Sequence, residues 1–235
     1  YHANSEMRIL KNMLRQSPPK TIDELMQRCQ QIAGKSLGEI AQELSCAVPA
    51  DLMRNKGWVG QLLEACLGAD AGNQAEPDFI SLGIELKTLP LNANGEPKES
   101  TYVCTVSTGE YEALSWDNSW VKRKLSHVLW IPIEADSSIP LAERYIGSGW
   151  LWQPDPSEEN LLKADWEELM DRLTMGEQSE LTAREGQYLQ VRPKAAHSRV
   201  LAKSSDSEGE TVFMNPRGFY LRTVFTKQLL AKALN

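Results

Sequence analysis

Residues 77–90 read PDFISLGIELKTLP, and the reading of this stretch decides the rest. An apolar, β-rich run follows Pro77-Asp78 and ends at Pro90, which has no N–H for a strand ladder. The pattern predicts a strand over FISLGIELKTLP. Side chains alternate between the two faces of a strand, so Ile84 and Leu86 share one face and Glu85 and Lys87 the other. Asp78 stands at the strand's entry. Just upstream, GWVGQLLEACL (57–67) has helical apolar spacing with Gly68 as its stop. That helix carries Glu64 and can lay it beside the strand.

Three carboxylates and a lysine so arranged suit phosphodiester hydrolysis. The reaction builds negative charge on phosphorus and needs a cation at a non-bridging oxygen, a nucleophilic water and a stabilised leaving oxygen. Hard Mg²⁺ prefers carboxylate oxygens and keeps several of its waters. Asp78 and Glu85 can supply such ligands, and Glu64 can hold a second metal or orient the water. Bound metal lowers the pKa of water and acts as a Lewis acid. Lys87 can hold the water or offset charge in the transition state. The triplet alone says little: this composition yields acidic-x-Lys by chance, and a second copy, Glu96-Pro97-Lys98, follows the Asn94-Gly95 turn. From the residues alone, a surface strand with an ion pair two residues apart fits equally well.

Working outward, Thr21/Glu24 and Ser36/Glu39 have capping-box spacing. They open helices over about 22–33, with Ile22, Leu25, Met26, Cys29 and Ile32 on one face, and over 37–44. TYVCTVS (101–107) reads as the strand returning from the Asn-Gly turn, and SHVLWIPIE (126–134) as another strand. Residues 158–173 form an acidic amphipathic helix. QYLQVR (187–192) and GFYLR (218–222) read as late strands, KSSDSEGE (203–210) as a polar loop or hairpin tip, and the tail after Thr226 as helix. Strands mixed with helices indicate an α/β or α+β domain with a mixed sheet.

The 235 residues carry 41% hydrophobic and 24% charged side chains, an ordinary globular composition. No apolar run is long enough to span a membrane, and YHANSEMRIL lacks the apolar core of a secretory signal, so a cytoplasmic protein is expected. Cys29, Cys46, Cys66 and Cys104 form no CxxC pair and are expected as buried thiols. The net charge of −7 is unevenly spread: residues 134–180 carry 3 basic and 12 acidic side chains, residues 181–235 carry 9 and 4. The basic C-terminal quarter is a candidate phosphate-binding surface. Gly34-Lys35-Ser36 imitates the end of a P-loop, but Cys29 stands where the motif needs glycine. His2, His127 and His197 are too scattered for a metal cluster. Trp58 and Trp166 lie on apolar helical faces and are expected in the core.

The segment LMRNKGWVGQLLEACLGADAGNQAEPDFISLGIELKTLP (52–90) resembles the core of the MutH endonucleases of methyl-directed mismatch repair, members of the PD-(D/E)xK superfamily. LSWDNSWVKRKLSHVLWIPIE (114–134), DWEELMD (165–171), LQVRPKAA (189–196) and PRGFYLR (216–222) extend the resemblance in order. It implies a restriction-endonuclease-like fold in two lobes around a DNA-binding cleft. Within a single domain over 21–235, a catalytic lobe would cover mainly 50–135 and a DNA-reading lobe mainly 136–235; residues 1–20, polar and ending in Ser17-Pro18-Pro19, lie outside the resemblance and are expected to be a flexible lead-in. The resemblance makes Asp78, Glu85 and Lys87 the catalytic triad and Glu64 an accessory carboxylate. Lys56 and Lys124 match basic residues at or near the active site. Arg192, Pro193, Lys194 and Ala195 match the loop that reads GATC, and Tyr220 the tyrosine near the adenine whose methylation is sensed. The implied reaction is Mg²⁺-dependent nicking of the unmethylated strand of hemimethylated GATC, 5′ to the G. Mn²⁺ would substitute, and Ca²⁺ would support binding without cleavage. The implied partners are double-stranded DNA and MutL, which would contact the mobile lobe and the C-terminal helix, with MutS upstream. The implied state is a monomer associated with the nucleoid when active. A GATC restriction enzyme and a non-catalytic DNA-binding or adapter protein are the competing functions. The first would have to cut both strands, and the second would have no use for an intact Asp78, Glu85 and Lys87.

Overall fold

The computed structural model describes residues 13–50, 52, 57–71, 75–106, 114–177, 181, 185–194, 202–205, 211–214 and 216–235. In chain order the helices are α1 (Ile22–Ile32), α2 (Leu37–Glu43), α3 (Trp58–Leu67), α4 (Trp120–Leu125), α5 (Pro156–Thr174) and α6 (Thr223–Ala233). The strands are β1 (Glu85–Leu91), β2 (Thr101–Thr105), β3 (Val128–Glu134), β4 (Trp150–Trp152), β5 (Leu189–Pro193), β6 (Ala202–Ser205), β7 (Thr211–Met214) and β8 (Arg217–Leu221). The architecture is mixed α/β. Among the described residues, no helix is long and apolar enough to cross a membrane.

The chain forms two compact units, each discontinuous in sequence. One holds the residues up to Lys98 together with His127–Trp152; the other holds Glu99–Ser126 and Gln153–Asn235. The sequence suggests a single cut near residue 135. The chain instead leaves the first unit after Lys98, returns at His127 and leaves again after Trp152.

In the first unit β3 is the central strand, flanked by β1 and β4. β1 pairs with it in parallel, from Glu85 opposite Val128 to Leu91 opposite Glu134, and β4 pairs antiparallel. Six of the seven residues of β3 are buried, the mark of a strand covered on both faces. Trp130 is fully buried, stacks on Trp150 at 6.4 Å and meets Trp152 edge-on. Helix α3 packs against β1, with α1 and α2 against α3. Leu25, Ile40, Leu62, Phe79, Ile84 and Leu129 belong to one buried cluster.

The helix starts follow the sequence closely because capping is local. Ser36 and Glu39 form a complete capping box. Thr21 accepts from the Glu24 N–H, but the Glu24 carboxylate takes the Lys20 N–H instead of closing the box. Residues 13–20, expected as loose, are tied down: the Leu14 N–H donates to Leu44 O at 2.9 Å and the Gln16 N–H to Ala65 O at 3.0 Å. Arg28 donates to the carbonyls of both Ser17 and Leu67. Gly68 ends α3 at φ +85°, where a Cβ would run into the Ser17 carbonyl and the Arg28 guanidinium.

Three strand expectations need correction. FISLG does not extend: Ile80–Leu82 is a single 3₁₀ turn closed by Gly83 at φ +64°, and the strand starts at Glu85. At its other end the strand runs through Pro90 to Leu91. β1 is an edge strand, and the Glu85 N–H faces β3 through the His127 carbonyl. Even-numbered N–H positions therefore face the open edge, where a missing donor costs no ladder bond. Finally, the Asn94-Gly95 turn does not fold β2 back onto β1. It reaches only an isolated bridge, Leu91 to Pro97, and β2 pairs with β8 in the second unit.

The second unit is built on the antiparallel sheet β2-β8-β5. Helix α5 packs on β5 and contributes buried Leu162, Trp166, Leu169 and Leu173. Trp116 meets Trp166 edge-on at 6.0 Å, and Tyr188 meets Phe225 at 5.2 Å. α6 starts at Thr223, earlier than the sequence suggests, with Arg222 as its N-cap. β6 and β7 pair antiparallel, so Lys203–Ser205 lie in a strand and not in the loop or hairpin tip the sequence suggests, while 206–210 lie outside the described residues.

Gly68→Ala is expected to lower stability by about 1–3 kcal/mol, because the substitution adds both left-handed strain and a clash. The reading is a lower urea midpoint; an unchanged midpoint would contradict the close approach of residue 17.

Candidate active site

The motif residues Asp78, Glu85 and Lys87 lie together at the start of β1. The Asp78 carboxylate accepts the Leu86 N–H through Oδ2 at 2.7 Å. That N–H lies on the open edge of β1, so Asp78 satisfies a group the sheet leaves over. Asp78 is itself fixed by its carbonyl, which accepts the N–H groups of Asp70 and Ala71, while the Asp70 side chain accepts the Ile80 N–H. The 3₁₀ turn thus folds residue 78 back onto the strand that carries residues 85 and 87.

Glu85 and Lys87 share a face of β1, as alternation requires, and Lys87 Nζ stands 3.3 Å from Glu85 Oε1. Each residue is only 7% exposed. This rejects the surface ion pair that the sequence leaves open. Burying two charges costs several kcal/mol per ion before their attraction is counted. A strand that only needed stability would carry apolar side chains there, as its other face does with Ile84 and Leu86.

Glu64 lies on α3, the helix packed against β1, and is half-buried. Among the described residues, no group of three or more His, Cys, Asp or Glu side chains is gathered to hold a metal ion. Glu64, Asp78 and Glu85 are thus not gathered into one such group. The fit to Mg²⁺ rests on Asp78 and Glu85. One or two carboxylates with retained waters are its usual protein ligands, whereas zinc sites draw on nitrogen and sulfur. All four cysteines are buried thiols. Burial pushes the Cys29 thiol up to about 12 and the Cys66 thiol up to about 11, which removes both as thiolate nucleophiles at neutral pH.

Lys124, Arg192, Pro193, Lys194 and Tyr220 belong to the second unit. Lys124 sits in the last turn of α4 and is buried. Lys56 and Ala195 lie outside the described residues. On the sheet β2-β8-β5, Arg192 opposes Gly218, and Tyr220 opposes both Gln190 and Tyr102. Arg192 and Tyr220 are thus diagonal neighbours on one face. The Arg192 guanidinium lies over the Tyr220 ring at 5.6 Å, Tyr220 meets Tyr102 edge-on at 5.3 Å, and Lys194 Nζ lies over Tyr102 at 5.1 Å. Lys194 Nζ also donates to Thr105 Oγ1 at 2.9 Å. The row runs cation, ring, ring, cation, with Arg192, Pro193 and Lys194 exposed and the two rings half-buried. Gly218 makes the row possible: a Cβ there would come within 2.9 Å of the Tyr102 ring and 3.1 Å of the Tyr220 ring. Burial, with Tyr102 nearby, raises the Tyr220 pKa, and the Arg192 charge opposes that shift. The phenol is therefore a neutral hydrogen-bonding group at physiological pH.

Tyr102 and Thr105 escape a reading of the sequence. TYVCTVS announces a strand, but nothing local says that its partner is β8. A row of two exposed cations and two half-buried rings can grip phosphates and stack or hydrogen-bond to base edges. The half-buried Asp78 with buried Glu85 and Lys87 can do metal-assisted hydrolysis.

The sequence is similar to those of known proteins. A family model described as DNA mismatch repair enzyme MutH matches residues 67–165, which include Asp78, Glu85, Lys87 and Lys124. The chain is 50% identical over 215 residues to the DNA mismatch repair protein MutH of Shewanella baltica strain OS185, covering 92% of this chain and 96% of that protein. It is 50% identical to the protein of the same name from Shewanella sp. strain W3-18-1, covering 92% and 97%. The Shewanella oneidensis protein of that name is 49% identical over 215 residues.

Lys87→Met leaves the Glu85 carboxylate buried without its ammonium and is expected to cost about 3–5 kcal/mol. Adding Glu85→Gln should recover part of that loss, so the double variant costs less than the two single ones summed. Urea unfolding of the four proteins measures this. Additive losses would mean that the two groups do not interact.

Proposed function

The chain belongs to the MutH family of DNA mismatch repair endonucleases, with their restriction-endonuclease-like fold, and on that footing we propose that it nicks the unmethylated strand of hemimethylated GATC sites. The observation that carries the reading is the buried, charged start of β1, where Glu85 and Lys87 share one face and Asp78 caps the strand edge. Asp78 and Glu85 would hold Mg²⁺, with Glu64 available from α3 as an accessory carboxylate. When bound, the ion supplies charge neutralisation at the phosphate and a lowered pKa for attacking water. Lys87, beside Glu85, orients that water and offsets charge on the phosphoryl oxygens as they become more negative. The excluded bulk solvent strengthens each of these interactions.

The second unit reads the sequence. Arg192 and Lys194 present donors that match the N7 and O6 acceptors of guanine, and the rings of Tyr102 and Tyr220 pre-orient both cations. Tyr220 offers an uncharged hydroxyl beside them, the group that would tell an adenine amino group from its methylated form. Lys56 and Lys124 would supply phosphate contacts. A net charge of −7 predicts modest bare affinity with steep salt dependence, which suits an enzyme switched on by a partner. MutL is that partner, with MutS acting upstream.

The test is a supercoiled plasmid with one GATC site, prepared unmethylated, hemimethylated or fully methylated, incubated with Mg²⁺ with and without MutL. Nicked circle from the first two forms, confined to the unmethylated strand and enhanced by MutL, is expected. Linear product without MutL would indicate a restriction enzyme, and an uncut gel shift a binding protein. In the same assay Lys194→Ala is expected to lower the preference for GATC about tenfold, the scale of one good base contact. Lys124→Ala should weaken all sequences alike. Equal losses for Lys194→Ala on GATC and other DNA would make it a phosphate contact only.

A further inference from the structure

The short strand β5 must deliver Arg192 and Lys194 to one face in one register. A slip of one residue would turn both to the opposite face. At its far end, just past the ladder with β8, the Lys194 N–H donates to the Pro216 carbonyl at 2.7 Å. Its near end is held from inside the unit. The Asp165 carboxylate, on α5, accepts three consecutive backbone N–H groups: Gln187 at 2.8 Å, Tyr188 at 2.6 Å and Leu189 at 2.8 Å. Asp165 is 7% exposed.

The turn that wraps this carboxylate is braced on its other side. Arg222 donates through its guanidinium to the Gly186 carbonyl at 2.8 Å and through its N–H to Tyr188 O at 2.8 Å. Gly186 has φ +78°, and a Cβ there would run into the Leu189 carbonyl. Position 165 falls three residues after Leu162 and four before Leu169, on the apolar stripe of α5. A carboxylate there is costly unless fully hydrogen-bonded, and three charge-assisted bonds to one turn meet that need.

We propose that Asp165 is a positioning residue for DNA reading: it sets the register of β5, and thereby where Arg192 and Lys194 meet the bases. The proposal rests on the reading of residues 192–194 as the base-contacting edge. Asp165 touches no DNA. It acts through the strand, so its loss changes sequence preference more than it changes attraction to DNA as a polyanion.

The experiment is equilibrium binding in Ca²⁺ to a labelled GATC duplex and to the same duplex with one base pair of the site changed. Asp165→Asn places an amide donor against the three N–H groups. It is expected to lower the ratio of the two affinities at least tenfold while leaving affinity for the changed duplex within twofold. In an Arg192→Ala/Lys194→Ala background the same substitution should lower the ratio no further. An unchanged ratio, an equal fall on both duplexes, or an independent loss in the doubly substituted background would overturn the proposal. If Asp165→Asn does not fold, Arg222→Gln, which leaves the carboxylate in place and loosens the other side of the turn, is read in its stead. A threefold fall in the ratio supports the proposal and an unchanged ratio overturns it. Arg192→Ala and Lys194→Ala alone separate the two failures. If they keep full preference, the base-reading assignment fails and the proposal with it. If they lose it while Asp165→Asn does not, only the positioning role fails.

Discussion

Two opposite charges are buried side by side on an edge strand, and much of the first unit is arranged around that fact. Glu85 and Lys87 are withdrawn from water at 3.3 Å from one another. Their mutual attraction offsets part of the desolvation cost, and the rest must come from the surrounding fold. The surroundings supply it through apolar burial: β3 is covered on both faces, and the other face of β1 packs Ile84 and Leu86 into the core. Natural stability is marginal, so a fold that retains such a pair is carrying a cost that chemistry explains better than packing does.

The same constraint explains why the motif needs its particular backbone. A carboxylate at position 78 reaches the strand edge only because Ile80–Leu82 makes a tight turn, closed by Gly83 in a left-handed conformation. The turn puts Asp78 Oδ2 on the Leu86 N–H, between the two charged positions in sequence. One bond thereby satisfies an edge donor and fixes a prospective metal ligand. In the second unit a buried carboxylate also organises backbone: Asp165 gathers three N–H groups at the start of a strand whose last residues, Arg192 and Pro193, are exposed. In both places a carboxylate accepts main-chain N–H groups beside a strand that carries charged side chains.

Local features of this architecture are legible in the sequence, and long-range ones are not. Thr21 and Ser36 mark helix starts because a cap bonds within one turn. The alternation of Ile84, Glu85, Leu86 and Lys87 holds because a strand has a period of two. What the sequence misplaces depends on partners far along the chain. Pro90 reads as a stop, yet position 90 faces an open edge once β3 occupies the other side. TYVCTVS reads as half of a hairpin, yet its partner is Arg217–Leu221. Tyr102 gains its role only when that pairing sets it against Tyr220 and Lys194. Asp165 reads as one more acid on an acidic helix, although its place on the apolar stripe is a signal that periodicity carries. The burial of Glu85 and Lys87, which separates a site from a surface ion pair, follows from tertiary packing alone.

The start of β1 is proposed to perform metal-assisted cleavage and not to be needed to hold DNA. The most direct measurement is Mg²⁺-dependent nicking of an unmethylated GATC plasmid by Asp78→Ala and by Glu85→Ala, beside binding of the same DNA in Ca²⁺. The account predicts loss of nicking in both variants, with binding kept close to that of the unaltered protein. Lost binding with retained nicking in either variant would contradict it.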